Sequence, residues 1–149
     1  MFIREAAQSD LPAIERLLEE LIAAMVNAQG IDPATVAGNC RDSLIDGSSH
    51  MLVADAGGTL VGFINFATRQ AILHRSPSGL VDELVVAESY RGRGIGRQLV
   101  LAAVERCRGL GCCELEVSTE KTNTRAREFY RKCGLEERGV LLELDLQSM

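Results

Sequence analysis

The stretch Leu80 to Gly96, LVDELVVAESYRGRGIG, constrains the rest of the chain most, because an apolar strand runs into a basic, glycine-punctuated loop that opens a helix. Gly92, Gly94 and Gly96 alternate with Arg93 and Ile95. Lacking Cβ atoms, such glycines let successive backbone N–H groups turn towards one point and let a ligand approach the main chain. The helix that follows adds its orphan N–H groups and the positive end of its dipole. Arg91, Arg93 and Arg97 add full charges able to fork onto phosphate oxygens. A phosphate or diphosphate site is therefore expected at Arg91 to Gly96. Two other glycine-loop patterns fail. A dinucleotide fingerprint G-x-G-x-x-G begun at Gly92 needs glycine at Arg97, and one begun at Gly94 needs it at Leu99. A nucleoside-triphosphate loop needs Gly-Lys-Ser/Thr, and the chain's only lysines are Lys121 and Lys132, far from the loop.

At 149 residues and 46% hydrophobic content, the chain is read as one domain, residues 1–149, with a single core. A formal net charge of -5 argues against a nucleic-acid partner and mildly favours cationic acceptors. The sequence holds no apolar run of the about 18 residues a membrane span needs, and MFIREAAQSD carries charge where a signal peptide is apolar. A cytoplasmic protein without a membrane partner is expected. Five cysteines, Cys40, Cys107, Cys112, Cys113 and Cys133, are odd in number and lack C-x-x-C spacing, so reduced thiols are expected and neither a disulfide framework nor a metal site is indicated. Cys133 is read as a small buried hydrophobe. His50 and His74 have no metal-ligand partners at useful spacing; His74 is either an acceptor-site residue or a solvated loop histidine.

In chain order, Phe2 to Ala6 reads as an opening strand. Asp10 offers a helix N-cap with Pro12 in the first turn, and Leu11, Ile14, Leu17, Leu18, Leu21, Ile22 and Met25 recur at helical spacing, with Gly30 as the stop. Asp32-Pro33 opens a second helix, about Ala34 to Leu44, closed by Asp46-Gly47. The period then shifts towards two: Met51 to Ala54 and Thr59 to Thr68 form a hairpin about Asp55 to Gly58. Gln70 to Gly79 reads as a loop before the strand Leu80 to Val86. After the glycine loop, Ile95, Leu99, Ala102, Ala103 and Cys107 mark the buried side of a helix that stops at Gly109 or Gly111. Cys112 to Ser118 alternates as a strand, so a β-α-β unit with parallel strands and a right-handed crossover is expected. The result is a mixed α/β sheet of about six to seven strands with helices on both faces, in the order β-α-α-β-β-β-α-β-α-β.

Beyond that strand, Asn123, Ala126, Phe129, Tyr130, Gly134 and Leu135 are spaced as N-x-x-A-x-x-F/L-Y-x-x-x-G-F/L. Ala126, Phe129, Tyr130 and Cys133 share one helical face, and Gly134 is a natural helix stop. This pattern resembles the second signature of the GNAT superfamily of N-acetyltransferases. The loop R-G-R-G-I-G resembles the family's acyl-CoA pyrophosphate loop, [QR]-x-x-G-x-[GA], with Arg91, Gly94 and Gly96 on its pattern positions. Two motifs in order, about 30 residues apart, are far rarer by chance than either alone.

The resemblance implies that acetyl-CoA lies in a splayed gap between the strand ending at Val86 and the strand Cys112 to Ser118. Its pantetheine amides would pair with backbone at Leu84, Val85 and Val86, and its diphosphate would sit in Arg91, Gly92, Arg93, Gly94, Ile95 and Gly96. Asn123 would face the pantetheine arm, and Tyr130 would act as general acid to the leaving thiolate, with backbone N–H groups stabilising the oxyanion. An ammonium acceptor, with a pKa of about 10.4, must lose a proton before attack. Asp82 and Glu83 are the candidate bases; adjacent strand residues face opposite sides, so only one looks into the acceptor cleft unless a β-bulge resets the alternation. Glu83 is the favoured one. The last strand, Val140 to Leu146, is apolar enough to pair with a second copy in a homodimer. Three functions stay open: an N-acetyltransferase acting on a primary amine of a small molecule, peptide or protein; a catalytically silent acyl-CoA sensor; and an acetyltransferase of charged aminoacyl-tRNA, which the acidic balance disfavours.

Overall fold

The computed structural model describes residues 1–25 and 30–147, which divide into two compact units, Met1–Val117 and Ser118–Met149. The first unit runs β1 (Phe2–Glu5), α1 (Leu11–Ala24), α2 (Pro33–Asp46), β2 (His50–Ala56), β3 (Thr59–Arg69), β4 (Ser78–Val86), α3 (Ile95–Gly109) and β5 (Glu114–Val117). Its five strands form one sheet in chain order; β1 to β4 are antiparallel neighbours, and β5 lies parallel to β4. No helix among the described residues is long and apolar enough to cross a membrane.

The helices divide between the two sheet faces because of strand alternation. Ile14, Leu17 and Leu18, on one stripe of α1, and Cys40 of α2 bury against Met51, Val53, Phe63 and Val85. On the other face α3 presses against the sheet with Leu99 and Ile95, the residues a Cβ on Gly62 would meet at 2.8 and 3.2 Å. Asp32 caps α2 through its carboxylate, which accepts from the Thr35 N–H at 3.2 Å, and Gly47 closes it in the left-handed region at φ 71°. Asp10 departs from the expected cap of α1. Its carboxylate is buried and accepts from Arg4 at 2.8 and 2.9 Å and from the Ala7 N–H at 2.7 Å, because a guanidinium fork is a stronger partner for a desolvated carboxylate than a helix N–H. The Arg4 Nε also donates to Asp55 at 3.1 Å, so one side chain ties β1, β2 and the start of α1 together. Helix α1 stops at Ala24, with Met25 extended, ahead of the expected stop at Gly30; residues 26–29 lie outside the described residues.

Three boundaries differ instructively. Strand β4 begins at Ser78, inside the expected loop, because Ser78 and Gly79 pair with Glu114 and Leu115 of β5. Strand β5 is shorter than Cys112 to Ser118: the Cys112 N–H is taken by the Cys107 carbonyl and the Cys113 N–H by the Pro77 carbonyl, both at 2.9 Å. The expected final strand, Val140 to Leu146, does not form, which leaves five strands among the described residues where six to seven are expected. A strand needs a ladder neighbour. The second unit contains one helix, α4 (Thr124–Lys132), and no strand for residues 140–146 to pair with, and Val140 and Leu142 are 80% and 89% exposed.

Gly79 illustrates the closest approach in the first unit. A Cβ there would lie 2.4 Å from Cys107 Sγ on α3 and 3.0 Å from Leu115 Cδ1 on β5. Gly79→Ala is therefore expected to destabilise the fold by about 1–3 kcal/mol, the usual penalty of overpacking. Thermal unfolding followed by circular dichroism checks it, and an unchanged melting temperature would show that α3 yields without cost.

Candidate active site

The glycine loop joins β4 to α3 through a single 3-10 turn, Glu88–Tyr90. Gly92 and Gly94 have φ of 78° and 80°, in the left-handed region that costs any residue with a Cβ, and a Cβ built on either meets nothing within 4 Å. Gly94 is also the N-cap of α3 and has no side chain to occupy the first-turn N–H groups. Ile95, 5% exposed, anchors the helix start in the core, while residues 91 to 94 are exposed. The result is open backbone donors at the positive end of a 15-residue helix.

The arginines divide their labour. Arg91 Nε donates to the Val86 carbonyl at 3.1 Å and so fastens the loop to the end of β4. The Arg93 guanidinium lies 4.9 Å from the centroid of the Tyr90 ring, a cation–π contact that steadies the loop from within. Arg97 is exposed on the first turn of α3.

Beside the loop, β4 runs on beyond the end of β5. Their ladder covers only Ser78 to Val81 against Glu114 to Val117, so Asp82 to Val86 has no partner from β5, although Glu83 to Val86 stays paired to β3 along Gly62 to Asn65. The backbone of Leu84, Val85 and Val86 thus forms a strand edge next to the open donors of the glycine loop. An extended chain of amides such as pantetheine fits this edge, and a diphosphate fits the loop: these residues suit acetyl-CoA.

The two acidic candidates are separated by a bulge. Asn65 pairs with Glu83 and Phe66 with Val81, so Asp82 is the extra residue of β4. Gly79 faces α3, so Val81 does by alternation; Val85 sits in the α1/α2 core, so Glu83 faces that side. Glu83 is half-buried and Asp82 exposed. Burial pushes the Glu83 carboxyl up, a hydrogen bond from Asn65 Nδ2 at 2.8 Å pulls it down, and the neighbouring Asp82 charge raises it again. Partial burial raises Asp82 as well. Cys40 of α2 is raised by burial and then by the charges of Glu15 on α1 and of Glu83, which places these groups in one neighbourhood.

In the second unit, Asn123 caps α4, its Oδ1 accepting from the Ala126 N–H at 3.1 Å, so its amide nitrogen is the group left to offer a ligand. Ala126, Phe129, Tyr130 and Cys133 are half-buried along one face, and Gly134, at φ 101°, follows the helix end. Burial first, and Cys133 second, push the Tyr130 phenol up to about 12. Its ring meets Phe129 edge-on at 5.1 Å.

Sequence reasoning missed Asn65. Its signal was a lone amide between apolar residues in a strand, Ile64-Asn65-Phe66. It also missed a gathering around His74, whose ligand atoms and those of Cys113 and Glu114 lie within 4.8 Å of one another. All three are exposed, and the two on the β5 side already hold protein partners: Cys113 Sγ donates to the Ser76 carbonyl at 3.7 Å, and Glu114 accepts from Ser78 Oγ at 3.2 Å. His50 is a strand residue, stacked on Phe66 with ring centroids 5.0 Å apart.

Comparison with known proteins agrees with this geometry. Residues 14–135 match the acetyltransferase (GNAT) family. An aminoalkylphosphonate N-acetyltransferase of Salmonella typhimurium is 29% identical over 135 residues, covering 91% of this chain and 84% of that protein. The N-alpha-acetyltransferase RimI of Mycobacterium tuberculosis is 35% identical over 113 residues, 74% of this chain and 66% of its own. Among solved structures, AAC(6')-Iy in complex with the bisubstrate analog CoA-S-monomethyl-acetylneamine superposes with a TM-score of 0.81 at 22% identity, over 97% of this chain and 96% of that one. The chain belongs to the acetyltransferase (GNAT) family and is an acetyl-CoA-dependent N-acetyltransferase.

Gly94→Val tests the cradle. A β-branched residue is strained at this φ and fills the space a phosphate needs, so CoA affinity is expected to fall at least tenfold, about 1.4 kcal/mol, with the ligand-free melting temperature nearly unchanged. Isothermal titration reads the effect. Arg93→Ala, which removes a charge from the loop rim, is expected to weaken binding less and with a loss that shrinks in salt.

Proposed function

We propose that the chain, as one domain spanning residues 1–149, acetylates a primary amine of a small molecule, peptide or protein by direct attack in a ternary complex. Glu83 is the base. The observation that carries this reading is the bulge at Asp82, which sets Glu83 on the α1/α2 face next to the strand edge Leu84 to Val86, half-buried and hydrogen-bonded by Asn65, while Asp82 is exposed. Bound acetyl-CoA supplies the activated acyl carbon, and the chain's residues manage position and protons.

The proton problem sets the magnitudes. An ordinary glutamate at about 4.3 and a lysine-like ammonium at about 10.4 are separated by roughly 8 kcal/mol, too much to spend in full on one transfer. Burial raises Glu83 and so narrows the gap from one side, while the Asn65 hydrogen bond keeps the carboxylate ionised and ready to accept. Asp82, exposed at the bulge, lacks that partner.

Tyr130 is the proposed partner of the leaving sulfur. With its phenol pushed up to about 12, it keeps its proton at every working pH. That value lies above the about 8.5 of a thiol, so Tyr130 acts first as a hydrogen-bond donor to the departing thiolate, and complete proton transfer is the harder part of its role. Asn123 is proposed to hold the pantetheine arm through its amide nitrogen. The support for both is their place on the family signature and, for Tyr130, its protonation state.

Release of CoA on a panel of amines decides between turnover and the silent sensor, for which tight CoA binding without release is the mark. Tyr130→Phe is expected to keep CoA affinity and lower kcat about ten- to a thousandfold; an unchanged kcat removes the role.

The pH dependence follows from the sign of each shift. Glu83 works ionised, so kcat/KM falls as pH drops through its raised pKa, and Glu83→Gln should abolish that acid limb along with most activity, whereas Asp82→Asn should keep the limb and move it to lower pH, since a neighbouring charge that raises Glu83 is gone. Tyr130 contributes no basic limb below about pH 11. An acid limb that vanishes in Asp82→Asn instead transfers the role.

A further inference from the structure

Among the described residues, Asn65 Oδ1 is the buried side-chain nitrogen or oxygen atom that has no hydrogen-bond partner. The residue is 9% exposed. Its amide orientation is set by chemistry: Nδ2 donates to Glu83 Oε2 at 2.8 Å, and a carboxylate only accepts, so the carbonyl must point elsewhere. A buried carbonyl without a donor is costly, and such a cost in a core strand calls for a ligand that brings an N–H or O–H.

The surroundings say which. Asn65 lies on the same strand parity as Phe63, so it faces the α1/α2 side together with Glu83. Three carboxylates bear on this neighbourhood: Glu83 and Asp82 from β4, and Glu15 from α1, which with Glu83 acts on Cys40 of α2. A neutral alcohol gains nothing from this field, whereas an ammonium gains from each carboxylate. Glu15 also edges a groove of about 230 Å³ between α1 and α2, whose walls include Leu18, Ile22 and Val36.

We propose that Asn65 Oδ1 and the Glu83 carboxylate form a two-point seat for the acceptor's primary ammonium, one N–H going to each, so that Asn65 binds substrate directly. The inference rests on the reading of Glu83 as the base. The proton facing Glu83 moves to its carboxylate, leaving a neutral amine that still has an N–H for Asn65. Rotation about the C–N bond then turns the freed lone pair towards the acyl carbon, the amine's other N–H taking over the bond to Asn65. The same Asn65 supplies the Nδ2 hydrogen bond that keeps Glu83 ionised, so one amide serves base and substrate from its two ends.

The test uses the full chain, labelled with 13C and 15N and saturated with CoA. It is titrated with n-butylammonium and, separately, with tetramethylammonium, which has the same charge and no N–H. Saturable shifts of the Asn65 side-chain carbonyl carbon and amide protons with n-butylammonium, and none with tetramethylammonium, are expected; equal responses to both, or none to n-butylammonium, overturn the seat. Asn65→Leu, nearly isosteric, removes an unpaired buried carbonyl but also the donor to half-buried Glu83, so it should melt close to the parent. It should weaken n-butylammonium at least tenfold, leave CoA affinity unchanged, and move the acid limb of kcat/KM to higher pH, since Glu83 loses the bond that lowers it. Unchanged amine affinity in this variant, or in Asn65→Ala should the leucine fail to fold, overturns it too. The two readings fail separately: ammonium-specific shifts at Asn65 without turnover on any amine sink the acetyl-transfer reading and keep the seat, whereas turnover without those shifts does the reverse.

Discussion

Strand β4 serves two neighbours unequally, and the site follows from that inequality. It pairs with β3 along nearly its whole length and with β5 only from Ser78 to Val81. Full pairing on both sides would occupy every backbone group of β4 and leave no edge for a ligand; no pairing with β5 would leave β4 an edge along its whole length. The short ladder is held closed at its first residues by Gly79, where the missing Cβ lets Cys107 of α3 and Leu115 of β5 approach, and β5 ends at Val117, opposite Val81. Where pairing ends, the bulge begins: Asp82 is the first residue of β4 beyond the ladder with β5 and the extra residue opposite β3. One local irregularity therefore exposes a strand edge, turns Glu83 to the helical face, and leads into the loop that opens α3.

Much of this frame was legible in the residues. The alternation of glycine with arginine and isoleucine after an apolar strand carries its meaning locally, because positive φ and a free helix start are properties of a few consecutive residues. The stripes of α1 and α4 are likewise local, and the structure buries or half-buries Ile14, Leu17 and Leu18 on one and Ala126, Phe129 and Tyr130 on the other. What escaped depends on partners distant in sequence. The alternation rule left Asp82 and Glu83 undecided, since a bulge is a relation between two strands and cannot be read from one. Ser78 and Gly79 look like turn residues until β5 is placed beside them. Asp10 looks like a cap until Arg4 competes for it, and Val140 to Leu146 looks like a strand whose neighbour the second unit does not supply.

Asn65 belongs to the same class of hidden feature and shows why a site can be costly to the fold. Packing favours an apolar side chain between Ile64 and Phe66, both fully buried, yet the amide stays and its carbonyl goes without a partner in the protein. The hydrogen bond from Nδ2 to Glu83 recovers part of the loss. The remainder is stability given up in exchange for a polar group fixed on rigid strand, where its position is set by the ladder with β4 rather than by a mobile loop.

Two carboxylates in the first unit make the contrast between holding and reacting concrete. Asp10 is buried beside Arg4, which pulls its pKa below the ordinary carboxylate value; burial opposes this and a backbone N–H adds to it. A depressed folded-state pKa stabilises the fold at pH above the ordinary carboxylate value, and that stabilisation is lost as pH falls through the depressed one. Glu83 has the opposite sign. Burial outweighs the Asn65 bond, so its ionised form costs stability above its raised pKa, and the cost disappears as pH falls below the ordinary value. A group arranged only for stability would sit as Asp10 does, with a cation at hydrogen-bond distance. Glu83 has an amide donor and acidic neighbours instead, an environment completed by a positive charge that arrives and leaves. In the seat proposed above the acceptor ammonium would bring that charge and its deprotonation would remove it, so binding and chemistry would draw on the same uncompensated carboxylate.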